Sequence, residues 1–161
     1  MLNDFQIGEV WDEMLASESR SLYFADLASR YTVQKQWITG ASFFLASGAA
    51  ATVVGKAPEW LPATLAVVVA LVTAYSIAVN LDGKIKTMCS LHSMWDRIAT
   101  DYTDLWSNVH SDEAQDRLRR IVEMSRTASE MAVSEAPNDQ KLLAMWQDRV
   151  FALHHLTGQH G

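Results

Sequence analysis

Between Lys35 and Lys56 the chain carries no charged residue for twenty positions, 36–55, and between Glu59 and Asp82 none for twenty-two, 60–81. At about 1.5 Å of rise per residue, either run makes a helix about 30 Å long, which matches the hydrocarbon core of a bilayer. The second run is the greasier, with eight apolar residues in succession from Leu65 to Val72; the first is diluted by Gly, Ala and Ser. The link Lys56–Pro62 holds two prolines and two opposite charges and is short enough to force an antiparallel helical hairpin. Pro62 suits the first turn of the second helix, where its missing N–H is not needed. A soluble bundle with a buried hairpin would look equally apolar all round. In a chain of 161 residues, however, too few others remain to wrap two such helices. The expectation is therefore an all-α integral membrane protein with a two-helix transmembrane hairpin and long amphipathic cytoplasmic helices forming a bundle. Its parts are an N-terminal helix over 1–35, the hairpin over 36–81 (spans 36–55 and 61–81) and C-terminal helices over 82–161. A cleaved secretory signal does not fit an apolar run that starts after 35 polar and amphipathic residues.

Basic residues set the direction. Arg20, Arg30 and Lys35 precede the first span, Lys84, Lys86 and Arg97 follow the second, and the link holds only Lys56. This asymmetry places both termini in the cytoplasm, with Trp37 and Trp60 near opposite membrane faces. With 13 basic against 19 acidic residues the net charge is −6, which argues against a nucleic-acid partner. The single cysteine, Cys89, excludes an internal disulfide framework.

Outside the spans the periodicity is helical throughout. Ile7, Val10, Trp11, Met14, Leu15, Leu22, Phe24, Ala25, Leu27, Ala28 and Tyr31 recur at helical spacings and predict an amphipathic helix running into the first span. After the second span, Met88, Leu91, Trp95, Ile98, Tyr102, Leu105 and Val109 alternate steps of three and four, a heptad seam. Such a seam needs another helix to cover it, from the same chain or from a neighbour, and it is assigned as an oligomerisation seam. Ser111 reads as the N-cap of a further helix with Leu118, Ile121, Ser125, Ala128 and Ala132 on one face. Pro137 breaks the chain, Asn138 reads as the cap of a last helix holding Leu142, Leu143, Trp146, Val150 and Leu153, and Gly158 ends it.

Little in the sequence speaks for catalysis. Cys89 and His92 lie three apart on one helical face, but a zinc site would need a second such pair. His154, His155 and His160 read as surface or tail residues. There is no phosphate loop, nucleophile elbow or His-Glu-x-x-His motif. Arg117, Arg119, Arg120 and Arg126 fit either of two roles, binding an anionic ligand or headgroup or, the favoured one, balancing Asp112, Glu113, Asp116, Glu123 and Glu130 by helix-spaced pairing. No enzyme, metal or cofactor is expected. The informative polar groups are inside the spans. Thr73, Ser76 and Asn80 continue a face that starts at Ala66 and Val69, and Thr39 and Ser42 share a face with Ala46 and Ala49. Two roles fit them: packing within the hairpin, with hydroxyls bonding back to their own helix, or lining an oligomeric pore.

The layout also resembles a known family. Tyr23-Phe24-Ala25-Asp26 and Arg30-Tyr31 run into Trp37, a membrane hairpin follows, and a long helix carries His92, Trp95 and Tyr102. Over residues 15–110 this is similar to the SLATT superfamily, small two-transmembrane domains of bacterial nucleotide-signalling conflict systems. The resemblance implies a homo-oligomeric effector of the inner membrane that forms pores or disrupts the bilayer in antiphage defence. It also implies control by a sensor or nucleotide-synthase partner. The rival expectation is a non-conducting membrane anchor that recruits a partner through its cytoplasmic helices.

Overall fold

The computed structural model describes the backbone of residues 2–54, 58 and 60–157. Side chains are described for the same residues apart from 49–54, 61, 62, 156 and 157. The described residues form five helices and no strand: α1 (Asp4–Val54), α2 (Trp60–Val79), α3 (Leu81–Ser107), α4 (Ala114–Glu135) and α5 (Gln140–Thr157). The fold class is all-α. Two compact units share these helices, one made of residues 1–27 and 86–161, the other of residues 28–85.

In the first unit the start of α1 is fixed by a reciprocal cap. Asn3 Oδ1 accepts from the Gln6 N–H at 2.8 Å, and Gln6 Oε1 accepts from the Asn3 N–H at 3.0 Å. Two otherwise orphan donors are thereby satisfied. Leu2 is buried beside this cap, and its N–H reaches the Val109 carbonyl at 3.4 Å.

The core of this unit is the heptad face of α3. Met88, Leu91, Trp95, Ile98, Tyr102 and Leu105 are all at most 2% exposed. Their cover comes from the same chain. Arg20 lies over the Trp95 ring at 4.6 Å, Ser21 Oγ meets His92 Nδ1 at 3.0 Å, and Trp11 packs on Trp106 with ring centroids 5.0 Å apart. On the other side α4 contributes Ala114, Ile121 and Ala128, spaced by sevens and buried. The assignment of this seam to oligomerisation is therefore corrected: α1 and α4 of the same chain already fill it. Val109 lies beyond the end of α3 and is only half-buried.

Running against three neighbours, α1 buries more of its circumference than its apolar pattern foretold. Besides Val10, Met14, Leu15, Phe24 and Leu27, the polar Ser17, Ser19 and Ser21 are buried. Serine is small enough to let a packed helix approach, and its hydroxyl can bond to the preceding turn, as Ser19 Oγ does to the Leu15 carbonyl at 2.8 Å.

Two caps differ from the sequence expectation. Ser111 sits in the turn before α4, where its carbonyl accepts from the Ala114 N–H at 3.2 Å, and the cap position falls on Glu113 without a side-chain bond. At α5 the capping side chain is Asp139, one residue beyond Asn138; its Oδ1 accepts from the Leu142 N–H at 3.1 Å. Gly158, expected to end α5, lies outside the described residues.

The second unit contains the later part of α1, all of α2 and the first turn of α3. Its α2 lies within the second uncharged run, so no charged residue within it competes for water. The helix stops at Asn80, which has φ +46°, a left-handed conformation that asparagine tolerates better than other side chains with a Cβ.

Candidate functional site

The chemistry of the second unit is that of an apolar surface without a protein cover. Among the described residues one helical stretch, within Ala63–Ser107, is long and apolar enough to cross a membrane, and 6% of its apolar window is buried. A core helix of a soluble domain would be mostly buried. Here Leu71 and Ile77 on α2 are exposed, as are Phe43 and Phe44 (75% and 78%) on α1. At about 25 cal/mol per Å² of apolar surface, leaving side chains of this size in water forgoes roughly 1.5–3 kcal/mol each. An apolar surrounding would recover that free energy.

Charged and aromatic groups gather where the apolar run ends. Lys35 on α1 pairs with Asp82 in the first turn of α3 at 2.5 Å, and Lys84 Nζ lies 5.8 Å from the centroid of the Tyr31 ring. Trp37, two residues past Lys35, is 76% exposed. An exposed indole beside a charged collar is the arrangement favoured at a membrane–water boundary.

The five polar span residues do not behave alike. Thr39 and Thr73 are exposed, and Ser42 and Ser76 are half-buried. Back-bonding of the expected kind occurs at their neighbours: Ser47 Oγ donates to the Phe43 carbonyl at 2.9 Å and Thr64 Oγ1 to the Trp60 carbonyl at 2.8 Å. Asn80 leaves the group. Its Oδ1 accepts from the Gly83 N–H at 3.3 Å and its carbonyl accepts from the Lys84 N–H at 3.1 Å, so it is the N-cap of α3 and the joint after α2. A Cβ on Gly83 would come within 2.5 Å of the Asn80 amide nitrogen. Glycine there leaves room for the cap. The assignment of Asn80 to the lining stripe is thus corrected to a capping role.

The first unit presents the remaining polar groups. His92 Nδ1 lies 3.0 Å from both the hydroxyl and the carbonyl oxygen of Ser21, while Cys89 is exposed. Among the described residues no three His, Cys, Asp or Glu side chains converge as metal ligands would. Two of the four α4 arginines are paired at helical spacing, Arg117 with Glu113 at 4.0 Å and Arg126 with Glu130 at 3.2 Å. Such exposed pairs contribute little to stability.

Sequence reasoning missed a line of polar contacts along α5. The Tyr23 hydroxyl donates to the Pro137 carbonyl at 2.6 Å and accepts from the Asp139 N–H at 3.2 Å. Trp146 Nε1 donates to Asp26 at 3.3 Å, and His154 Nε2 meets Glu18 at 2.8 Å with Trp11 edge-on to its ring. Rising residue numbers on α5 meet Asp26 and then Glu18, so the two helices run antiparallel. The helical spacing of Glu18, Leu22 and Asp26 was the available signal, but it looks the same as that of a solvated face.

Compared with protein-family models, curated proteins and solved structures, the chain matches none of them. The functional reading therefore rests on the geometry above and on the residue pattern itself.

Proposed function

We propose that the chain is an oligomeric membrane effector that inserts residues 36–81 as a helical hairpin, with both termini in the cytoplasm of the inner membrane, and that it permeabilises the bilayer. The observation that carries this reading is the uncharged α2, as long as a bilayer core is thick and with its large apolar side chains unburied. The later part of α1, residues 36–54, matches α2 in length to within one residue, as the arms of a hairpin must. The Lys35–Asp82 pair joins α1 to the start of α3 at the end where both arms meet water. One hairpin encloses no channel, so conduction requires several copies. Because the α3 seam is filled within each chain, the copies meet through their spans, where Thr39, Ser42, Thr73 and Ser76 offer small polar contacts. The defence setting and a sensor or nucleotide-synthase partner follow from the SLATT-like layout alone.

Dye or ion efflux from liposomes reconstituted with the purified chain tests the reading. Leakage that rises more steeply than linearly with protein density is expected, and the double variant Thr73→Leu and Ser76→Leu is expected to insert but leak less. Vesicles that stay tight at every density, despite full insertion, would leave the alternative of a non-conducting anchor. One observation favours that alternative: with its seam closed, the bundle of the first unit is complete as a single copy.

A further inference from the structure

Charge is unevenly shared along the chain. Residues 28–85 hold four basic and two acidic residues and the rest of the chain nine and seventeen, so the second unit is positive in a protein whose net charge is −6. In the link, Lys56 and Glu59 cancel. The excess therefore belongs to the other end of the unit, with Arg30 and Lys35 on α1 and Asp82 and Lys84 on α3.

These groups differ in what they can still bind. Lys35 is neutralised by Asp82 at 2.5 Å. Lys84 is exposed and, among the described residues, has no acidic partner within ion-pair distance. Its ammonium lies 5.8 Å from the centroid of the half-buried Tyr31 ring, which holds the side chain against α1. Depth decides what reaches it. Lys84 stands three residues beyond the last uncharged position, 81, a rise of about 4.5 Å. The headgroup layer on each face of a bilayer is about 5–7 Å deep, so a lysine at this position falls among the lipid phosphates. Trp37, at the same end of the unit, is the exposed aromatic that marks such a boundary. A choline headgroup carries its own cation beside the phosphate and offers this lysine little. A phosphate without that cation leaves a net negative charge facing it.

We infer that Lys84 selects lipids with a net-negative headgroup, such as phosphatidylglycerol, for the end of the second unit where α1 enters and α3 leaves. The Tyr31 ring positions the ammonium and Trp37 marks its depth. This inference rests on the membrane reading above.

The test reconstitutes the full chain in phosphatidylcholine vesicles with a trace of spin-labelled phosphatidylglycerol or spin-labelled phosphatidylcholine. The motionally restricted part of the electron spin resonance spectrum reports lipid held at the protein surface. Phosphatidylglycerol is expected to be preferred by about fivefold, the worth of one basic residue at an anionic surface. The preference is expected to shrink between about 0.01 and about 1 M salt. Lys84→Gln is expected to lower it at least about twofold, Lys84→Glu to erase it and Lys84→Arg to keep it; circular dichroism confirms that each variant is folded. Equal restriction of the two lipids by the native chain, a preference untouched by salt, or one undiminished in folded Lys84→Glu would overturn the proposal while the membrane reading stands. No restricted component with either lipid would overturn both. If the variants do not fold, the lipid comparison and its salt dependence in the unaltered chain still decide it.

Discussion

Around Tyr102 a single hydroxyl feels the whole packing of the first unit. Burial pushes its pKa above the ordinary value of 10; Glu13 and Glu9 push the same way, while Ser125 and Arg20 oppose them. The unfolded chain gives up this proton near pH 10 and the folded chain holds it longer, so the stability it contributes is intact below pH 10 and declines as pH rises through the folded value. Thermal melting followed by circular dichroism between pH 8 and about 11 is therefore expected to fall more steeply for the native chain than for Tyr102→Phe. Equal slopes would show that this hydroxyl is not held in its neutral form. That Tyr102 would be covered was legible in the sequence, because it stands in the α3 heptads; its acidic neighbours were not, because Glu9 and Glu13 come from a helix some ninety residues away. Asn80 shows the opposite failure. Spacing put it on a face with Thr73 and Ser76, whereas its left-handed φ ends α2 and turns its amide to α3. A pattern extrapolated to the last residue of a helix cannot distinguish continuation from a cap.

Helix boundaries and faces followed from periodicity where the pattern was apolar. The α3 seam and the Ile121 and Ala128 face of α4 are buried as their spacing requires. What periodicity could not give is which helix fills which seam, since a heptad specifies a partner surface and not its owner. Nor could it reveal the polar contacts along α5: among its described side chains Leu142 and Val150 are the buried ones, while Phe151 and Leu153 are exposed. The Tyr23 hydroxyl is the hinge of that attachment, because it satisfies the Pro137 carbonyl and the Asp139 N–H together at the point where α5 begins. Tyr23→Phe leaves both groups without this partner at almost unchanged volume, with an expected loss of about 1–3 kcal/mol in the docking of α5. Hydrogen exchange localises the effect. Amides of residues 140–150 are expected to exchange faster in the variant, while those of the α3 seam stay protected. Uniform loss of protection would mean that α5 is an inseparable part of the core.

At the scale of the whole molecule the proposed insertion is measurable through the single cysteine. Cys89 is exposed on α3, Ser29 is exposed on α1 before the first uncharged run, and Pro58 is exposed in the link. One cysteine at a time, native Cys89 or Ser29→Cys or Pro58→Cys in a Cys89→Ser background, can be challenged in intact spheroplasts with a membrane-impermeant maleimide. A hairpin places 29 and 89 on one side and 58 on the other. With both termini inside, only the cysteine at 58 should label before the membrane is opened. If α2 alone crosses, 29 and 58 share a side and 89 takes the opposite one. If neither run inserts, all three behave alike. The first arm is the sensitive part of the test, because Gly40, Ser42, Ser47 and Gly48 lower its apolar content. Such an arm gains less from lipid than α2 does, and close packing against a second helix offsets the difference, which small residues permit. The two arms are thus expected to insert as a pair, with α2 supplying most of the transfer free energy, and the 29/58/89 labelling pattern separates that outcome from a lone α2 span.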